Sequence, residues 1–195
     1  MKTQQVIYSS KFALSKKNIR NISSTICPVQ YYIPEGFTGK GVRIAIIDSG
    51  CPKHKDIPIV GKEHEFEHNN VSFCDDSISP WDKYGHSTMI SGVISASNKK
   101  TILGVAPQAM LLHAKVVNDR GQCSFNSMVG AVLWAVVRRV DVIAIALGTQ
   151  YDHSVLHDAI SKARKENICI FAAAGEEVKN KDGELDYPAR YPEVF

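Results

Sequence analysis

Residues 43–50, RIAIIDSG, run a stretch of buried-strand residues into an acid. Ile44, Ala45, Ile46 and Ile47 show no polar alternation, the pattern of a strand covered on both faces in a parallel sheet. Asp48 follows directly, then Ser49 and Gly50. A carboxylate at the end of such a strand is costly to desolvate unless another group there uses it. Outward from this point, apolar runs alternate with helical periods. The pattern predicts strands over 42–47, 111–117, 142–147 and 168–174. It predicts a helix from His86 through Met89, Ile90, Val93 and Ile94, a second carrying Met128 to Val137, and a third over about 154–167. That order gives an α/β fold, a doubly wound parallel sheet with helices on both faces. Residues 64–85 read as a long polar loop, a kind of segment that is usually functional inside a compact domain.

The 195 residues suffice for one sizeable domain, divided into an N-terminal arm or leader remnant (1–34) and the α/β unit (35–195). A net charge of +3 is spread along the chain, with no basic block interleaved with aromatics, so nucleic acid is not an expected partner. No apolar run is long enough to cross a bilayer and the first residues lack a signal-peptide core, so no membrane association and a cytoplasmic location are expected. Five cysteines, scattered and without C-x-x-C spacing, read as reduced thiols rather than a disulfide or zinc framework.

In parallel sheets of this kind ligands bind beyond the carboxyl ends of the strands, where Asp48, Gly148 and Gly175 all lie. His86 opens a helix directly after Gly85, so its imidazole can face the same crevice. A carboxylate on one ring nitrogen would fix the tautomer and leave the other nitrogen to act as a base. Taken singly, each residue is equally well read as structural. DSGCPKHKD (48–56) lacks the Gly-rich phosphate pattern, which argues against a nucleotide site.

Together GKGVRIAIIDSG, YGHSTMISGVISA, ILGVAPQAMLLHAKVV, DVIAIALG and the segment from IFAAAGEE to YPARYPEVF resemble, in order, the landmark segments of subtilisin-like serine proteases over roughly residues 35–195. The resemblance implies that Asp48 is the orienting acid and His86 the general base of an Asp-His-Ser triad. It implies that Ala146, Leu147 and Gly148 form one backbone edge for an extended peptide or protein substrate, with Arg120, Gly121 and Gln122 on the other side. Ala172, Ala173, Ala174 and Gly175 would line the pocket for the residue before the scissile bond, leaving room for a large apolar side chain.

The family's nucleophile segment, Gly-Thr-Ser followed by small residues, has no match in residues 1–195. The resemblance places it beyond Phe195, so the fold is expected to be incomplete at its C-terminal end and the chain inactive alone. Glu176 stands where the family has its oxyanion-hole asparagine. Losing such a donor costs on the order of 3 kcal/mol, a value measured on a subtilisin. Ser87 and Met89 replace the usual Gly and His, milder changes that touch helix packing more than chemistry. No cofactor is expected: Asp56 matches one calcium ligand of the family, but Lys99 and Lys100 bring positive charge to the loop that would wrap the ion. Two functions stay open, a serine endopeptidase domain lacking its serine and a pseudoprotease that binds peptides or proteins. Under either, Met89, Ile90, Val93 and Ile94, with the sheet face behind Ile44 and Ile46, are expected to lack a covering helix. A complementing segment or self-association would be needed there.

Overall fold

The structure, a computed structural model, describes residues 5–7, 36–58, 68–98, 102–175 and 184–195. Its strands are β1 (Gln5–Ile7), β2 (Arg43–Asp48), β3 (Asn70–Ser72), β4 (Ser97–Asn98), β5 (Ile102–Leu103), β6 (Met110–Lys115), β7 (Gln122–Ser124), β8 (Val142–Ile145) and β9 (Cys169–Ala172). Among the described residues lie the helices α1 (His86–Ser95), α2 (Phe125–Val137) and α3 (Ser154–Lys165).

β2 is the central strand of a five-stranded sheet in the order β3-β6-β2-β8-β9. Every pairing in it is parallel. Its unbroken apolar run serves both faces, because successive side chains of a strand point opposite ways. Ala45 and Ile47 enter the larger core with Met128, Val132, Ile160 and Ile170. Ile44 and Ile46 enter a smaller core on the other face, packed by Ile90 and Ile94. The expected doubly wound parallel sheet is the architecture found.

Two readings of the sequence need correction. Within the polar loop, Asn70–Ser72 forms an edge strand against β6. Three residues carry too little periodicity to announce it; its anchor is buried Asn70, whose Oδ1 lies 2.9 Å from His113 Nδ1. Nor is the sheet face behind Ile44 and Ile46 bare, since these residues are 8% and 1% exposed under Ile90 and Ile94. What α1 leaves open is its outer side, with Met89 44% and Val93 52% exposed, near Leu103 at 54%. Among the described residues no helix is long and apolar enough to cross a membrane. The cysteines among them are free thiols. Burial raises the Cys51, Cys74 and Cys123 thiols above their ordinary value, Cys51 to about 12.

The turn after β2 is built for close approach. Gly50 has φ +128°, and a Cβ there would stand 2.5 Å from Pro80 O and 2.9 Å from Asp82 N. Only glycine lets the 80–82 segment lie this close, sealed by Cys51 N–H to Pro80 O at 2.7 Å and Asp82 N–H to Cys51 O at 2.8 Å.

Candidate active site

Asp48 ends β2 fully buried, and His86 opens α1 beside it, so one strand end and one helix start bring the pair together. His86 Nδ1 lies 2.9 Å from each carboxylate oxygen of Asp48. An ionised carboxylate only accepts, so the proton between them sits on Nδ1. Asp48 Oδ1 also accepts the Ser49 N–H at 2.6 Å. The hydrogen bond to Asp48 holds the His86 imidazolium above the usual histidine value, outweighing burial, which pulls the other way. The charges of Asp48 and Asp82 add to the rise.

Residues absent from the sequence reading hold this pair in place. The start of a helix leaves backbone N–H groups without intrahelical partners, and here side chains from two loops take them. Asp82 Oδ1 accepts the Gly85 N–H at 2.7 Å and the Ser49 hydroxyl at 2.9 Å. Asp82 Oδ2 accepts the Thr88 N–H at 2.8 Å and the Thr88 hydroxyl at 2.5 Å. Ser49 Oγ in turn accepts the Ser87 N–H at 2.9 Å. Asp82 and Ser49 therefore tie the end of β2 to the start of α1. Lys115, 1% exposed, steadies the same loop by donating to Trp81 O at 3.2 Å and Asp119 Oδ1 at 2.8 Å. A signal for Asp82 was present in the sequence, an acid a few residues before a helix start, but it was hidden inside the polar loop.

Further along the crevice, Ala146, Leu147 and Gly148 continue from β8, and Ala172 to Gly175 run out of β9. The Ala173 N–H donates to Ile145 O at 3.0 Å, the last rung before the two strands part. Ala173, Ala174 and Gly175 are exposed, while Leu147 is buried. A Cβ on Gly148 would stand 2.8 Å from Asp186 Oδ2, and one on Gly175 only 2.7 Å from that same oxygen. The carboxylate of Asp186 sits between the two strand ends.

On the opposite edge, Gly121 and Arg120 lead into β7, and Gln122 lies in register with Ile7 of the antiparallel strand β1. Part of that edge is thus paired by the chain's own N-terminal strand. A cavity of about 230 Å³ beside it is lined by Arg120, Gln122, Cys74, Val116, Asn118 and Ser127 among others, and does not include Asp48 or His86. Glu176 lies outside the described residues, as do Lys99, Lys100 and most of the arm 1–34. Asp56 is buried, its carbonyl accepting the Ser97 N–H at 2.8 Å. Among the described residues no three His, Cys, Asp or Glu side chains gather as metal ligands.

The Subtilase family pattern matches residues 39–195. "Minor extracellular protease Epr" of Bacillus subtilis (strain 168) is 34% identical over 160 residues, 82% of this chain and 23% of that protein. "Intracellular serine protease" of Paenibacillus polymyxa is 35% identical over 166 residues, 80% of this chain and 49% of that protein. "Subtilisin E" of Bacillus subtilis (strain 168) is 33% identical over 165 residues, 83% of this chain and 41% of that protein. The chain thus spans less than half the length of each of these relatives.

Proposed function

The chain belongs to the subtilase family, and on that premise we propose that it carries the acid and base of a serine endopeptidase site whose nucleophile comes from residues outside 1–195. The observation that carries this reading is the Asp48–His86 pair, with a fully buried carboxylate 2.9 Å from Nδ1 through both its oxygens. With Nδ1–H committed to Asp48, proton transfer falls to Nε2. His86 takes the proton of a serine hydroxyl as that oxygen attacks the peptide carbonyl, and Asp48 stabilises the imidazolium that forms. The imidazolium then gives its proton to the leaving amine. The peptide lies extended along the Ala146–Gly148 edge and is held through its backbone, with Arg120 and Gly121 on its other side and Gln122 already paired with β1. The outer side of α1, with Met89 and Val93, is where the segment bearing the serine would pack.

A second reading, a pseudoprotease that binds a peptide or protein without cleaving it, is favoured by Glu176 in place of an amide donor. One experiment separates the two. The segment of the Paenibacillus polymyxa protein that follows its matched portion is added to the chain in trans, and a serine-directed phosphonate is applied. The expected result is stoichiometric labelling of the supplied serine, lost in His86→Ala, and no labelling of the chain alone. Labelling of a serine within residues 1–195 would defeat the proposal. Peptide binding by the complemented chain without any labelling would leave the pseudoprotease.

A further inference from the structure

We propose that Asp82 is a positioning residue for the base of the pair: its carboxylate offsets the positive end of α1 and fixes the turn from which His86 reaches Asp48. The inference rests on the acid–base reading above and adds to it a second carboxylate, from the loop before the helix.

The need for that carboxylate is set by where His86 lies. As the first residue of a ten-residue helix, it stands where backbone N–H groups without intrahelical partners gather partial positive charge. That charge disfavours an imidazolium, which a base must become when it takes a proton. The first turn of α1 carries no acid of its own, and its cap, Gly85 at φ +96°, has no side chain to offer. Asp82 supplies both. Its oxygens accept the Gly85 N–H at 2.7 Å and the Thr88 N–H at 2.8 Å, with the Ser49 and Thr88 hydroxyls at 2.9 and 2.5 Å. All four donors are neutral groups, so the carboxylate brings its whole charge to the helix start.

Cations on the adjoining segments are held elsewhere. Lys83 and Lys115 both go to Asp119, at 3.3 and 2.8 Å, and Lys53 lies over the Trp81 ring, 4.1 Å from its centroid. The titratable groups that feel Asp82 are His86, His113 and Cys51. His113 and Cys51 are buried, at 4% and 0% exposed, which leaves His86 as the one that serves the crevice. Two carboxylates therefore act on His86 from different elements. Asp48, at the end of β2, holds a proton on Nδ1, and Asp82, from the loop before α1, favours the arrival of the next one. Ser49 joins the two acids, its N–H donating to Asp48 Oδ1 at 2.6 Å and its hydroxyl to Asp82 Oδ1.

The test is a ¹H–¹⁵N titration of His86 in the chain itself, with no serine segment, for the unaltered sequence, Asp82→Asn and Asp82→Glu. In Asp82→Asn the His86 pKa is expected to fall by about 0.5 or more. Its neutral ring should stay protonated at Nδ1, because Asp48 is untouched. Asp82→Glu keeps the charge and should keep the raised value. An Asp82→Asn chain that melts at a lower temperature with its His86 pKa in place would make Asp82 a helix cap alone and overturn the inference, the Asp48–His86 pair still standing. Should Asp82→Asn not fold, Asp82→Glu decides: a His86 pKa that stays raised supports the inference, and a fall to the ordinary value overturns it. A neutral ring protonated at Nε2 in the unaltered chain would instead remove the pair itself, and the role of Asp82 with it.

Discussion

Asp48→Asn, made in the chain complemented with a nucleophile segment, is expected to slow peptide hydrolysis by on the order of 10⁴-fold, the loss measured for the acid of other serine-protease triads. The substitution keeps the shape of the side chain and changes what it offers to Nδ1. A carboxylate only accepts, and so keeps the ring proton on Nδ1. An amide can present its NH₂ group to Nδ1 instead, which moves the ring proton to Nε2. A protonated Nε2 cannot take the serine's proton. Binding should be spared, because Asp48 is fully buried and reaches a peptide only through His86. The measurement is the rate at saturating peptide beside the peptide's dissociation constant. A fall in affinity with an unchanged rate would place Asp48 in the groove and outside the catalytic pair.

Acidification should destabilise the chain through a histidine that no catalytic reading uses. His113 lies on β6, 4% exposed, with Nε2 3.0 Å from Ser91 Oγ and Nδ1 2.9 Å from Asn70 Oδ1. Those partners satisfy a neutral ring, which donates to the amide oxygen and accepts from the hydroxyl. Burial pulls its pKa from 6.5 down to about 4, against a small opposing effect of Asp82. The folded value lies below the unfolded one, so the folded chain binds fewer protons. The stability His113 contributes is complete above pH 6.5 and is lost as pH falls from there through about 4. The full loss corresponds to about 3 kcal/mol, a large part of a typical domain's margin. His86 works in another window. Its folded value is raised, so its contribution is present below 6.5 and lost as pH rises through the raised value. The lowered carboxyls of Asp119 and Glu193 act below their ordinary 3.8 and 4.5. Between pH 6.5 and 4.5 His113 is therefore the dominant source of slope among these four. Urea midpoints across that interval should fall in the unaltered chain and stay nearly flat in His113→Gln. A flat profile in the unaltered chain would contradict the burial of a neutral ring.

The sheet was legible because the interior of β2 and all of β8 and β9 are apolar, a pattern that needs cover on both faces, and β6 departs from it only at His113 and Lys115. Asp48 and His86 stood out at the ends of regular elements, the acid after a strand and the histidine after a glycine, but their roles as acid and base came from the resemblance to the family. What the sequence hid has a common physical origin. Asn70, Asp82 and Ser49 act through single hydrogen bonds to partners distant in sequence, and such contacts leave no period to read.

The pairing of Asp48 with His86 is open to direct measurement in the isolated chain, with no serine present. Long-range ¹H–¹⁵N correlation spectra of His86, followed through a pH titration, report both its tautomer and its pKa. The expected result is a neutral ring protonated at Nδ1, a pKa above 6.5, and loss of both features in Asp48→Asn. A neutral ring protonated at Nε2, or a pKa below 6.5 that Asp48→Asn leaves unmoved, would contradict the reading of His86 as a base oriented by a buried acid.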